Sequence, residues 1–175
     1  MISSASTVAD SKSAGFTLTE LMVTIVVLGV LTTMAMPSFK SLTQSQRVKN
    51  ASFELYAALS LARNEAIKRN SDVTLAGTTN AKNEVSWVIT AADGTVIRRQ
   101  GYILDVKMDV NNLTGMGLIY RRNGRAVNLD ATKTSFAAAP TFEIYAANTT
   151  AASQFTRCIT LELSGMPRVR QGACP

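Results

Sequence analysis

The sequence predicts an α+β fold, one long N-terminal helix packed on an antiparallel β head of two small sheets, and three observations lead there. From Phe16 to Met36 the chain is apolar apart from one carboxylate, Glu20. Val48, Ser52, Leu55, Leu59, Ala62 and Ala66 then recur at helical spacing. From Ser71 onward the apolar residues alternate with period two, punctuated by Asp93-Gly94 and Asn123-Gly124.

The first element is the apolar run, which has about the ~20 residues a helix needs to cross a bilayer. An ionisable group at that depth costs at least about 2.5 kcal/mol, so Glu20 calls for a partner. The small residues Ser13, Ala14 and Gly15 precede the run, whereas a secretory signal places them after it. Gly29 and Pro37 interrupt the run, and Pro37 lacks an amide donor, so the helix is expected to kink or loosen between them. Beyond Pro37 the helix becomes amphipathic: the narrow stripe from Val48 to Ala66 faces a sheet, and Arg47, Glu54, Glu65 and Lys68 point away as a solvated face. A continuous helix from Phe16 to Arg69 would be roughly 80 Å long, too long for a bilayer alone.

In the head, Val85, Trp87 and Ile89 share one face of a strand over Glu84–Thr90, and Asp93-Gly94 turns it into Thr95–Arg99. Leu118–Tyr120, Asn123-Gly124 and Ala126–Asn128 make a second hairpin, and Thr141–Ala146 and Arg157–Leu163 alternate in the same way. The Ala/Thr-rich stretches Asp130–Ala139 and Ala147–Ser153 read as exposed loops. Two cysteines, Cys158 and Cys174, with no histidine in the chain, make a poor zinc site and a poor Cys-His nucleophile. A disulfide outside the cytoplasm is the favoured reading over a pair of reduced thiols. With no histidine, glycine-rich phosphate loop or nucleophile elbow, no enzyme, catalytic residue, metal or cofactor is expected.

The segment Gly15-Phe16-Thr17-Leu18-Thr19-Glu20-Leu21 resembles the class III signal of type IV prepilins and type II secretion pseudopilins. Leu55–Ile67, Ile119–Arg125 and Ser164–Arg170 extend the resemblance to the GspH/FimT family. It implies a pilin-like fold and cleavage by a prepilin peptidase between Gly15 and Phe16. It also implies N-methylation of Phe16 and a role for Glu20 in filament assembly. Accordingly, residues 1–15 are expected to be a cleaved leader, 16–37 the transmembrane and filament-core helix, 38–70 its amphipathic half, and 71–175 the head. The implied partners are other minor pilins, the major pilin and an inner-membrane assembly platform. The implied place is the inner membrane with the head in the periplasm, then the pilus, near its tip.

Two further readings stand beside that of a priming minor pilin: a pseudopilin of type II secretion, and a DNA-binding pilin for DNA uptake. The net charge is +6, and Arg121, Arg122, Arg125, Arg157, Arg168 and Arg170 concentrate in the head, where they could contact phosphates. The DNA-uptake members of the family carry a Gly-Arg-x-Arg motif; Gly165-Met166-Pro167-Arg168 keeps its glycine and second arginine and has Met166 at the first. The opposing reading is a solvated basic strand edge that protects the sheet from aggregation.

Overall fold

The computed structural model describes residues 15–113, 115–130, 132–150, 153 and 155–175, with the backbone alone at 34–38. The chain divides into two compact units, Met1–Lys40 and Ser41–Pro175. One helix, α1 (Leu18–Arg69), contributes to both. Thr17 caps its start, its hydroxyl oxygen accepting the Glu20 amide at 3.2 Å. Its end is a Schellman cap: Asn70 takes the left-handed conformation (φ 51°), and the amides of Asn70 and Ser71 donate to Ile67 O and Ala66 O. Lys68 and Arg69 in the last turn suit the negative end of the helix dipole.

In the first unit the backbone is helical through both Gly29 and Pro37. Leu18, Leu21, Val23, Ile25, Val27, Leu28 and Leu31 are all exposed. The hydroxyls of Thr24, Thr32 and Thr33 donate back to the carbonyls of Leu21, Leu28 and Val30, so these three side chains are satisfied within the helix. Among the described residues no helix is long and apolar enough to cross a membrane. The expected span of 16–37 runs past Thr33 into the positions whose side chains are outside the description, and most of the expected leader is outside it as well.

The second unit holds the core. Sheet one has strand order β3-β2-β1-β5-β6, built from β1 (Val73–Thr79), β2 (Val85–Ala91), β3 (Val96–Gln100), β5 (Gly117–Tyr120) and β6 (Ala126–Asn128). Sheet two has order β4-β7-β8-β9, from β4 (Val106–Asn111), β7 (Thr141–Ala146), β8 (Arg157–Leu161) and β9 (Pro167–Gln171). All neighbours pair antiparallel. The stripe predicted for the helix is the buried one: Val48, Ser52, Leu55, Leu59, Ala62 and Ala66 are each at most 1% exposed. All of these but Ser52 join Val73, Leu75, Trp87, Ile89, Leu118 and Tyr120 of sheet one and Phe142, Ile144, Ile159 and Leu161 of sheet two in one cluster. Each fully buried Leu or Ile contributes about 1.5–3 kcal/mol, so the helix is held by packing rather than by propensity. The alanines let the backbone come close to the sheets. Two residues of the expected solvated face instead reach the head, Arg47 pairing with Asp105 and Glu54 with Arg98.

Three turns share one construction. In Ala91–Thr95, Arg121–Arg125 and Glu162–Met166 the fourth residue is a glycine at φ +86°, +76° and +83°, whose amide donates to the carbonyl of the first. The third residue, Asp93, Asn123 or Ser164, accepts the amide of the fifth. These are three-residue hairpin loops closed by a left-handed glycine, a type I turn followed by a bulge. The first two are the hairpin turns expected at Asp93-Gly94 and Asn123-Gly124. The third joins β8 to β9, so Arg168 and Arg170 stand on an edge strand.

Candidate functional site: a turn junction and a basic cleft

The three segments that extend the family resemblance beyond the N-terminal signal meet in one place. Arg63, on α1, donates from Nε to Gly124 O at 3.2 Å, and Tyr120, at the end of β5, donates its hydroxyl to Gly165 O at 3.0 Å. Gly124 and Gly165 lie against each other: a Cβ on Gly165 would overlap Gly124 O and come within 3.1 Å of Tyr120 Cε1. A Cβ on Gly124 would stand 2.9 Å from Ile67 Cδ1 of the helix. The helix, sheet one through the β5–β6 turn, and sheet two through the β8–β9 turn are thus locked together. Burial pushes the Tyr120 hydroxyl far above the ordinary phenol range, opposed by the nearby Arg63 charge, so it stays a hydrogen-bond donor. Gly165 is therefore required by packing, whatever its neighbours in sequence do.

The arginines expected to act together fall into separate groups. Arg121 and Arg125 line a cleft of about 280 Å³ with Lys133, Asn123, Ser135, Val127, Phe136 and Leu163. Arg122, on the same turn, is exposed and does not line it. Arg168 pairs with Glu162. Arg170 shares its sheet face with Cys158 and donates to Ala173 O at 2.7 Å. Arg157 pairs in register with Gln171 and Ile144, which places it on the opposite face from Cys158 and Arg170. Met166, standing where the DNA-uptake motif has arginine, is exposed.

Cys158 and Cys174 form a disulfide. Gly172 (φ +97°) turns the chain after β9, and the Cys174 amide donates to Glu143 Oε1 at 2.9 Å, so the tail lies back over β7 and β8. At the other end of the chain, Gly15, Phe16 and Glu20 are exposed. Glu20 sits in the first turn of α1, three residues after its cap. Thr17-Leu18-Thr19-Glu20 has the sequence pattern of a capping box, of which the structure makes the bond from the Glu20 amide to the Thr17 hydroxyl. Lys133 is the cleft cation that sequence reasoning missed. It takes a left-handed conformation (φ 49°) in a loop whose composition reads only as polar.

The family described as type II transport protein GspH matches residues 51–165. The prokaryotic N-terminal methylation motif matches residues 10–36. No curated protein matches the chain. Among solved structures, the type IV minor pilin FimU of Pseudomonas aeruginosa is similar over 74% of this chain and 90% of its own, at 18% identity and a TM-score of 0.53. The minor pseudopilin EpsH from the type II secretion system of Vibrio cholerae is similar over 75% of this chain and 96% of its own, at 14% identity and a TM-score of 0.50. At these identities the likeness is one of fold.

Proposed function

The chain belongs to the GspH family of type II transport proteins, and on that premise we propose that it is a minor pilin of a type IV pilus that helps prime assembly near the tip. The carrying observation is the first unit: an apolar helix exposed along its described length, with Glu20 as its one charge before Lys40, inside the methylation motif. Such a helix has to be covered by lipid or by other helices. In this reading a prepilin peptidase cuts after Gly15 and Phe16 becomes the methylated N-terminus. Residues 16–37 hold the subunit in the inner membrane until other minor pilins and the major pilin take it up at the assembly platform. Glu20 then pairs with a neighbour's terminal amine as both leave lipid for the filament core, where an unpaired charge is costly.

The test is Glu20→Ala followed through each stage. Membrane insertion and cleavage should be unchanged, while the amount recovered with sheared filaments should fall roughly tenfold or more, because loss of one partner of a buried pair costs ~3 kcal/mol or more. Unchanged recovery would remove the pairing role.

The description of the matched family favours a second reading, a pseudopilin of type II secretion. Deleting the protein separates the two. Loss of surface pili with secretion intact supports the pilus; loss of secretion with pili intact supports the pseudopilin.

A further inference from the structure

We propose that the basic cleft beside the β5–β6 turn is a docking site for an acidic, partly apolar segment of a partner protein subunit. The cleft, of about 280 Å³, brings three cations, Arg121, Arg125 and Lys133, together with the polar side chains of Asn123 and Ser135. The local carboxylates are already engaged. Asp72 pairs with Lys133 at 2.6 Å, and Asp130 accepts from the Thr132 hydroxyl and from the amide and hydroxyl of Thr134. Arg121 directs one N–H to Lys133 O at 3.3 Å, which steadies the loop. The Arg125 guanidinium has no hydrogen-bond or ion-pair partner among the described residues, so it is available for an incoming anion.

The walls decide what kind of anion fits. Val127 and Phe136 form buried apolar sides, Leu163 lines the cleft while 61% exposed, and Met166 is exposed on the same turn as Leu163. A rail of phosphates is met by cations strung along a surface, with apolar side chains contributing little. A short concave site with cations inside and an exposed Leu in its lining instead suits a Glu or Asp whose methylene stem and apolar neighbours pack on those walls. That the partner is a fellow filament subunit rests on the function proposed above; binding of an acidic peptide does not.

The probe is a fluorescein-labelled peptide of alternating Glu and Leu, read by fluorescence anisotropy against the full chain in detergent micelles, with an equally labelled duplex DNA in parallel. Arg125→Gln should weaken peptide binding about fivefold, the span of a partly exposed ion pair. Arg121→Gln with Arg125→Gln should weaken it further, and Leu163→Ala should weaken it without any change in charge. Arg122→Gln removes the same charge from the same turn outside the cleft and should leave binding unchanged. Equal loss in Arg122→Gln, tighter binding of the duplex than of the peptide, or no binding of the peptide would each overturn the proposal. Because Arg125→Gln breaks no side-chain bond within the fold, its effect is not confused with unfolding. Peptide binding that persists when Glu20→Ala leaves filament recovery unchanged would mean that the subunit role, not the cleft, has failed.

Discussion

Alanine at Gly165 tests the junction of helix and turns against a control that the molecule itself provides. Gly94 and Gly165 close turns of the same construction at nearly the same φ, +86° and +83°. A side chain in that conformation costs roughly 1–2 kcal/mol, offset by about 0.4–1 kcal/mol from the stiffer unfolded chain. At Gly94 nothing lies within 4 Å of the added Cβ, so Gly94→Ala should cost about 1 kcal/mol and no more. At Gly165 the Cβ overlaps Gly124 O and crowds Tyr120. Neither neighbour can yield cheaply, because Gly124 O is held by Arg63 and Tyr120 is fully buried. Overpacking adds about 1–3 kcal/mol, and parting the turns weakens the Tyr120–Gly165 bond, worth ~1 kcal/mol. Gly165→Ala should therefore cost about 3–5 kcal/mol in all. Urea unfolding of residues 41–175, followed through the fluorescence of the single, buried Trp87, measures both variants. Losses equal within ~0.5 kcal/mol would refute the junction as a tightly packed lock.

Two other perturbations probe the head at a distance from that junction. Replacing Cys158 and Cys174 by Ser opens a bridge across 16 positions and should cost about 3 kcal/mol in the chain-entropy model, visible as a lower urea midpoint at a similar slope. Hydrogen exchange should then show the tail after Gly172 released while the β8–β9 ladder stays protected. Tyr145 is pushed up to about 12, first by desolvation and then by its hydrogen bond to Asp109 at 2.9 Å. The fold thus favours the neutral phenol, so this contribution to stability is complete below the ordinary value of 10.0 and is lost as pH rises towards about 12. Asp109→Asn should move the ionisation back towards the ordinary value in an ultraviolet difference titration, and an unmoved curve would count against the hydrogen bond.

What could be read from the sequence was whatever leaves a local imprint. The stripe from Val48 to Ala66 is legible because one helix face meets the core along its length, and the strands around Trp87 and Tyr120 are legible because turn dipeptides bracket them. β4 alternates well, Val106, Met108, Val110, yet no turn dipeptide marks its ends. β9 opens with Pro167, which argues against a strand unless it is the first residue of an edge, as here. Ser164-Gly165 builds the same turn as Asn123-Gly124, but serine signals it less strongly. The junction itself was out of reach: its bonds join positions 61 and 45 apart, and periodicity reports nothing at that range. The same distance hid the partition of the arginines, since neighbours in sequence such as Arg121 and Arg122 differ in whether they line the cleft.

The junction also clarifies which residues are left to explain assembly. Arg63, Tyr120, Gly124 and Gly165 are accounted for by holding α1 to the two sheets. Glu20 is different. Within the lone chain it has the Thr17 cap and the positive end of α1 beside it, and a helix dipole offsets only about 0.3–1 kcal/mol for a charge in the first turn. Carrying a carboxylate into an apolar environment costs at least ~2.5 kcal/mol. If the helix enters a filament core as proposed, the cap and the dipole fall short by about 1.5–2 kcal/mol or more. In the proposed reading a neighbouring subunit's terminal amine supplies the difference, and the register of that neighbour would then follow from where Glu20 stands in the first turn.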